Sequence, residues 1–287
     1  MPYPDFICIG AQKAGTTWLY HQMVAHPDIW VPRIKELHYF DRVEDRVMLR
    51  SMFEVSRKGR FVRSVLFFSL LKGRWRWIYD YLARPITLTN YPRLFRKKPG
   101  MLAGELTPAY ARLDADMISN MAAAMPDTKI IYLLRNPVDR VWSQVNMFYR
   151  RDNLHSTLLP GEVLELKSPM IYDNSSYIAN LSRWEEHFGA GNVYVGFFDE
   201  IRDSPYEALR KIYAFLGLRT DENVFSADIH VVRNQGRHGD IPENLEYELS
   251  LHFLPELEAL HRRFGNQYTA VWLQRAQDLT RKPAPQS

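Results

Sequence analysis

The sequence predicts an α/β fold in which a central parallel sheet is flanked by helices. Short apolar runs of strand length recur along the chain, and stretches with the apolar spacing of a helix follow them. Glycine or proline lies at many of the junctions between the two kinds of stretch. The 287 residues, 46% of them apolar, can fill the core of one large domain. We therefore expect a single domain over residues 1–287, with a frayed tail at about 281–287.

The first strand and the loop after it are the most informative stretch. The run Phe6–Ile9 predicts a buried strand, Gly10–Gly15 a tight loop, and Thr16 or Thr17 the start of a helix. A helix N-terminus after such a loop binds anions, because its N–H groups point outward and the helix dipole favours negative charge. The motif is P-loop-like but not Walker A, since its lysine, Lys13, lies inside the loop. A glycine turn with a solvent-facing lysine is the alternative interpretation.

The rest of the chain continues the alternation. Further strands are predicted near Ile29–Val31, Met101–Gly104, Lys129–Leu134 and Val193–Phe198. Further helices are predicted over about Asp114–Met125, Ser175–Phe188, Ser204–Leu216 and, as the last helix, Pro242–Phe264. Residues 42–99 are less regular and are predicted to form a helical insertion. Insertions on α/β cores tend to carry specificity.

A second anion-binding motif follows the strand at 129–134. Arg135 lies at the C-terminal end of this strand, Asn136 can cap the next helix, and Pro137 suits the first turn. Ser143 lies on that helix, away from its apolar face. Ligands of open α/β sheets bind at the C-terminal ends of the strands. Arg135 and Ser143 can therefore contact the same ligand.

The two motifs together resemble those of the PAPS-dependent sulfotransferases, PAPS being 3′-phosphoadenosine-5′-phosphosulfate. The first reads K-A-G-T-T-W at 13–18, and the second runs from an apolar strand at 130 to the serine at 143. The chain is similar to a bacterial member of the family close to the glycan- and heparan-type enzymes. The resemblance implies transfer of the sulfuryl group from PAPS, by in-line displacement, to a hydroxyl or amine of a carbohydrate or small metabolite. PAP is the implied product.

The resemblance also implies which residues bind the donor. Lys13 is expected at the leaving oxygen, and Arg135 with Ser143 at the 3′-phosphate, where arginine suits bidentate contact. Trp18 is expected to stack on adenine, with simple core packing as the alternative. A basic loop is expected to close over the 3′-phosphate, with Arg237 as the first candidate in it and Arg233 as the second. The other expected cofactor-binding residues are Ala14, Gly15, Thr16, Thr17 and Tyr177.

Two further segments supply candidates for the acceptor side. Glu36 and His38 are two residues apart, hence on one side of the chain if it is extended. They resemble an E-x-H-[FY]-F-D segment whose glutamate is implied to be the general base, with His38 as second choice and a solvated pair as the alternative. Glu105 and Tyr110 resemble an E-K-[ST]-P-x-Y segment at the floor of the acceptor cleft. Leu106 replaces the lysine of that segment, which argues against a close match to heparan-type recognition.

Composition limits the partners and the compartment. The net charge of +4 suits an anionic ligand, and no nucleic-acid partner is expected. The single cysteine, Cys8, excludes an internal disulfide, and no signal peptide, transmembrane segment or metal-ligand cluster is visible, so a cytoplasmic protein without a metal is expected. The basic, aromatic stretch at about 61–82 is more typical of a helix pair than of weak contact with a membrane surface. The sequence does not predict the oligomeric state.

Two other functions compete with sulfuryl transfer. A P-loop-type kinase or NTPase would need a lysine followed by a magnesium-binding hydroxyl, and the loop has Thr16 in the place of that lysine. A non-catalytic polyanion-binding protein would use the basic, aromatic stretch instead of a catalytic site.

Overall fold

The first strand, β1 (Phe6–Gly10), lies at the centre of a five-stranded sheet. The computed structural model describes residues 2–41, 75–152, 171–231 and 240–283. The other strands in these ranges are β2 (Ile29–Trp30), β3 (Leu102–Leu106), β4 (Lys129–Leu134) and β5 (Val193–Phe197). They pair in the order β2-β3-β1-β4-β5, and every pairing is parallel. The C-terminal ends of all five strands therefore meet at one edge.

Helices surround the sheet, as predicted. They are α1 (Thr16–Ala25), α2 (Trp75–Ile78), α3 (Ala115–Ala124), α4 (Pro137–Asp152), α5 (Tyr177–Phe188), α6 (Phe198–Asp203), α7 (Pro205–Leu216), α8 (Glu243–Phe264) and α9 (Gln267–Thr280). A π-helical turn, Tyr79–Ala83, continues α2. Short 3-10 turns lie at Tyr91–Leu94 and Pro108–Arg112.

The core lies on both faces of β1 and β4. All five residues of β1 are buried, and so are the last five of β4. Strands covered on both faces read as continuous apolar runs, and these two runs are what predicted the sheet. Leu19 and Met23 of α1 are fully buried, as are Met121 of α3 and, in the following turn, Met125 at 3% exposure.

Side-chain or glycine caps are present at the ends of several helices, and the one at Asn136 was predicted. Asp114 accepts a hydrogen bond from the backbone N–H of Met117 at 2.7 Å and so caps α3. Asn136 accepts one from the N–H of Val138 at 3.0 Å, in the first turn of α4. Gly217 closes α7 in the left-handed conformation, with φ of 76°.

The prediction that α8 is the last helix is wrong. A left-handed Gly265 ends α8, and the side chain of Asn266 accepts a hydrogen bond from the N–H of Thr269 at 3.0 Å. Asn266 therefore caps a further helix, α9, which packs against α8. The short helix α6 after β5 was also not predicted.

Some predicted features lie outside the described residues. Among them are residues 42–74 of the predicted insertion, the candidates Arg233 and Arg237, and the end of the tail at 284–287. Residues 75–99 of the insertion contain α2, the π-helical turn and one 3-10 turn. The domain boundaries stay a prediction. In the part of the chain that the structure describes, no helix is both long and apolar enough to cross a membrane.

Candidate active site

A cavity of about 880 Å³ opens at the C-terminal edge of the sheet. Its wall is formed by the β1–α1 loop, the first turn of α1, the loop at 35–36, the end of β4 and one side of α4. Residues of α6, α7, α8 and α9 also line it, together with residues 229–231 and 240–241. The position agrees with the rule that open parallel sheets bind ligands beyond the carboxyl ends of their strands.

The β1–α1 loop turns the N-terminus of α1 into the cavity. Lys13, Gly15, Thr16 and Thr17 line the cavity, whereas Ala14 is fully buried and contributes no wall. The first N–H groups of a helix have no acceptor within the helix, and α1 has no acidic residue in its first turn to occupy them. This end of α1 is therefore suited to an anion.

Gly15 is required at the start of α1. Its φ is 93°, which residues with a Cβ rarely adopt, and a Cβ would lie 3.1 Å from the side chain of Ile201. The ring of Phe198 would lie 3.3 Å from the same atom. The close approach of α6 to the loop thus depends on this glycine.

Arg135 joins β4 to the β1–α1 loop. Its guanidinium donates to the carbonyl oxygen of Lys13 at 3.1 Å and lies 4.6 Å from the centroid of the Phe198 ring. Burial lowers the pKa of Arg135. Its Nε is buried and has no hydrogen-bond partner in the described structure. A buried, unpaired donor beside a cavity fits an arriving anion, because buried polar groups are normally hydrogen-bonded.

Helix α4 presents a different set of residues on each side. Ser143 and Trp142 line the cavity. Arg140 is fully buried, and its guanidinium donates to Ser175, Gln144 and the carbonyl of Ile171. Arg140 therefore fastens α4 to the segment before α5, while Ser143 remains available to a ligand.

Trp18 forms one wall of the cavity and is 7% exposed. Its indole Nε1 donates to the carbonyl oxygen of Ile229 at 2.7 Å. Ile229 and His230 line the cavity next to it. The hydrogen bond fixes the plane of the indole ring, so the exposed part of the ring forms a defined surface.

Tyr177 does not line the cavity, contrary to expectation. Its side chain is fully buried, and its hydroxyl donates to the carbonyl oxygen of Arg135 at 2.9 Å. The residue starts α5, on the buried side of that helix. The structure thus puts Tyr177 behind Arg135 instead of beside a ligand.

Glu36 lies in the cavity wall at the centre of a cluster of charges. Lys35 forms an ion pair with Oε1, and Nε2 of His38 lies 3.5 Å from Oε2. The Nδ1 of His38 lies 2.7 Å from Asp41. Burial raises the pKa of Glu36. The hydrogen bond from His38 and the charge of Lys35 outweigh this effect and bring the pKa down to about 2. His38 is not among the described residues that line the cavity.

The segment at 36–38 is not extended, which was the condition under which the sequence spacing puts both side chains on one side. Glu36 and His38 have φ of 64° and 48°, so the chain bends there, yet the two side chains still meet. Lys13 has φ of 71°, and no other non-glycine residue in the described ranges has a positive φ. Sparsely populated backbone conformations cluster at functional sites. Here they fall on the three residues predicted to be catalytic.

Glu105 and Tyr110 lie in the core and not in the wall of the cavity. Glu105 is 1% exposed and accepts hydrogen bonds from the hydroxyls of Tyr91, Thr107 and Tyr110. Tyr110 is fully buried and accepts a hydrogen bond from the N–H of Tyr39. Their expected place at the floor of the acceptor cleft is corrected: the aromatic side chains packed around them close them off from the cavity.

Several residues of the cavity wall were not predicted from sequence. Lys35 precedes the predicted base, and Phe198 follows β5. Asp139, Glu246 and Arg275 form a cluster in which the guanidinium bridges the two carboxylates. The helix pair of α8 and α9, which carries two of these residues, matches no motif. Of these residues, only Lys35 could have been found from the sequence, because it directly precedes the predicted base, Glu36.

The model of the sulfotransferase family matches residues 4–222. The chain belongs to the sulfotransferase family. It is therefore an enzyme that transfers sulfate to an acceptor. The match contains every described candidate above, and α8 and α9 lie beyond its end.

Solved sulfotransferases share this fold. The sulfotransferase from Alicyclobacillus acidocaldarius has a TM-score of 0.65 and 26% identity, covering 95% of this chain and 99% of its own. The sulfotransferase domain of the Synechococcus olefin synthase has a TM-score of 0.56 and 20% identity, covering 99% and 96%. A mouse sulfotransferase complexed with PAP has a TM-score of 0.55 and 16% identity, covering 96% and 89%.

Curated relatives are more distant. The bifunctional heparan sulfate N-deacetylase/N-sulfotransferase 4 of Mus musculus is 23% identical over 235 residues, which cover 78% of this chain. The corresponding enzyme 3 of Homo sapiens is 23% identical over 245 residues. In each case the match covers 23% of the relative. The chain thus matches about a quarter of the length of these relatives.

Proposed function

We propose that the protein transfers the sulfuryl group of PAPS to a hydroxyl or amine of a carbohydrate or small-metabolite acceptor and releases PAP. The observation that carries the proposal is one cavity lined both by the Lys13–Thr17 loop and by Arg135. Two separate anion-binding elements suit a donor with phosphate at two positions. The PAP complex of the mouse structure supports the same donor.

The cavity residues fit PAPS. The N–H groups of Gly15, Thr16 and Thr17 would hold the 5′-phosphate at the N-terminus of α1. Arg135, with its unpaired Nε, and Ser143 would hold the 3′-phosphate. The surface of Trp18 would take the adenine. A volume of about 880 Å³ lies within the range of small-molecule sites.

The transfer itself requires position and charge more than covalent chemistry. The acceptor oxygen or nitrogen forms a bond to sulfur while the bond from sulfur to the bridging oxygen breaks. The electron pair of the broken bond stays with the phosphate of PAP, where Lys13 stabilises the growing charge. The proton of the acceptor goes to Glu36. Lys13 and the α1 dipole supply positive charge at the leaving oxygen, so we propose that no added metal is needed.

The contacts of His38 favour Glu36 as the base. His38 lies between two carboxylates, those of Asp41 and Glu36, and its imidazolium form can donate to both. In that form it cannot take a proton. Glu36 also lines the cavity, whereas His38 does not. We therefore assign His38 the role of positioning Glu36.

Other predicted residues take supporting roles in this proposal. Tyr177 positions Arg135 through its backbone, and Ala14 packs under the loop that carries Lys13. Glu105 and Tyr110 lie in the core and support the loop at 36–39 through the hydrogen bond between Tyr110 and Tyr39. Arg237, outside the described residues, stays the first candidate for a further contact with the 3′-phosphate.

The acceptor is proposed by class only. The heparan sulfate N-sulfotransferases among the relatives favour a glycan. Leu106, in place of the lysine found in similar segments, favours an acceptor that differs from heparan. A cytoplasmic location, weak membrane-surface contact through 61–82 and the lack of a nucleic-acid partner stay predictions.

Thermal melting tests the donor. We expect PAP to raise the melting temperature in the presence of EDTA, since a ligand that binds only the native state stabilises it. ATP with magnesium and heparin are the comparison ligands for the kinase and polyanion-binding alternatives. A shift with Mg-ATP or heparin but none with saturating PAP would contradict the proposal.

A screen then identifies the acceptor. Labelled PAPS is offered with glycans, phenols, lipids and peptides, and transfer of the label is measured. Lys13→Ala serves as the negative control, because it removes the cation at the leaving oxygen. Transfer that is as fast in this variant as in the wild type would contradict the mechanism.

A further inference from the structure

Lys35 lines the cavity beside the predicted base. Its ammonium group forms an ion pair with Glu36, and the two side chains keep 20% and 31% of their surface exposed. Both residues lie in the cavity wall that Lys13 and Arg135 also form. A cation therefore lies in the cavity wall directly beside the proposed base.

The ion pair is unfavourable for proton transfer. Burial raises the pKa of Glu36, but His38 and Lys35 bring it down to about 2. A carboxylate with such a low pKa accepts a proton poorly at neutral pH. Glu36 becomes a better base when Lys35 moves to another anion. Lys13 and Arg135 line the same cavity.

Leu106 leaves its segment without a cation. It stands where similar glycan sulfotransferases have a lysine, is 2% exposed and does not line the cavity. Among the described lysines only Lys13 and Lys35 line the cavity. Arg202 and Arg275 also line it, and each is paired with two carboxylates. With Lys13 assigned to the leaving oxygen and Arg135 to the 3′-phosphate, Lys35 is the cation next to the proposed base.

We propose that Lys35 binds the sulfuryl group of the donor, exchanging its resting partner Glu36 for a sulfonate oxygen. The inference rests on PAPS as the donor. A lysine ammonium is a compact charge on a flexible stem, so it can change partners. The exchange stabilises the charge that spreads over the sulfuryl oxygens, and it frees Glu36 for the proton of the acceptor. Lys35 keeps its own protons throughout.

Binding measurements without acceptor test this exchange. Lys35→Met keeps the length of the side chain and removes the charge. We expect the Kd of PAPS to rise about tenfold, the scale of a lost charge-assisted hydrogen bond. The Kd of PAP, which lacks the sulfuryl group, stays within twofold of wild type. Lys98→Met is the matched control: Lys98 is exposed and precedes β3, at the opposite edge of the sheet, so both constants stay unchanged.

Glu36→Gln provides the converse test. This variant removes the resting partner of Lys35, so the lysine no longer has to leave a carboxylate. We expect the Kd of PAPS to fall about threefold and the Kd of PAP to stay unchanged. In the double variant with Lys35→Met the gain disappears, because the residue that produced it is absent.

Each other outcome overturns the inference. An equal loss of PAPS and PAP affinity in Lys35→Met assigns the lysine to the nucleotide phosphates. No loss of either affinity leaves it with no contact to the donor. If the wild type binds neither ligand, the proposed donor itself is wrong and this inference fails with it. Circular dichroism of each variant establishes that the fold is intact.

Discussion

The phenolic oxygen of Tyr110 lies 2.8 Å from the backbone nitrogen of Tyr39 and accepts its hydrogen bond. The same hydroxyl donates to the carboxylate of Glu105 at 3.2 Å. All three residues are buried, and Tyr39 directly follows His38. A buried carboxylate thus orients a hydroxyl that holds the loop of the candidate catalytic residues.

Tyr110→Phe is expected to affect both stability and turnover. The change leaves the buried N–H of Tyr39 without its acceptor, which costs about 1–3 kcal/mol of unfolding free energy. It also loosens the loop that carries Glu36, so kcat falls while the affinity for PAP stays unchanged. Urea unfolding and the acceptor assay measure the two effects.

Tyr213→Phe is the matched control for that variant. Its hydroxyl is also buried and donates to a backbone carbonyl, that of Gln22 at 3.3 Å, but it does not touch the loop. We expect a loss of stability with normal kcat. Full turnover in Tyr110→Phe would mean that other contacts, such as the hydrogen bond from Tyr81 to the carbonyl of Leu37, suffice to hold the loop.

Arg135→Ala is expected to weaken PAP binding by about 2 kcal/mol or more, because the phosphate loses a charge-assisted contact. Adenosine 5′-phosphosulfate lacks the 3′-phosphate, so its affinity is expected to change much less. Arg219→Ala, at an exposed arginine paired with Asp28, is the control for loss of one positive charge. An equal loss for both nucleotides would show that Arg135 does not read the 3′-phosphate.

Local patterns predicted the fold and half of the candidate site. The runs of β1 and β4 are buried on both faces, and this burial is what makes them continuous and legible in the sequence. Lys13 and Arg135 follow these strands directly. Once the sheet is parallel, the ends of two neighbouring strands must come together. That is why this part of the cavity could be predicted.

The other half depends on packing between distant segments. Glu105 lies in a strand that was predicted, but its burial results from aromatic residues such as Tyr39 and Tyr91, far away in sequence. The left-handed backbone at Glu36 could not be predicted, because the residue there is neither glycine nor asparagine. Helix α9 begins at a single Asn266 cap and was missed for lack of a stronger signal.

The lowered pKa of Glu36 predicts how stability depends on pH. Its folded-state value of about 2 lies below the ordinary 4.5, because His38 and Lys35 outweigh the effect of burial. The stabilisation is therefore present above about pH 4.5 and is lost as the pH falls towards 2. At pH 6 we expect the free energy of unfolding of the wild type to exceed that of Glu36→Gln by about 1 kcal/mol, the scale of a partly exposed ion pair.

Urea unfolding at pH 6, 4 and 3 measures this difference. The difference in unfolding free energy is expected to narrow from pH 6 to pH 3, because below about pH 4.5 the carboxyl of Glu36 takes up its proton in the unfolded chain but not yet in the folded protein. A difference that stays constant or grows as the pH falls would show that the charge of Glu36 does not stabilise the fold.

The last prediction separates the base from the residue that positions it. Glu36→Gln keeps the shape of the side chain but cannot take the proton, so kcat is expected to fall roughly a hundredfold or more while PAP affinity stays nearly unchanged. His38→Ala leaves the carboxylate in place but removes its neighbour 3.5 Å away, so a smaller loss is expected. Asp41 lies 2.7 Å from His38, so Asp41→Asn is expected to lower kcat in the same direction as His38→Ala. Should His38→Ala abolish turnover while Glu36→Gln stays near wild type, the two residues exchange roles. Should neither change lower kcat, the acceptor loses its proton to a group outside this loop, and Glu36 is not the base.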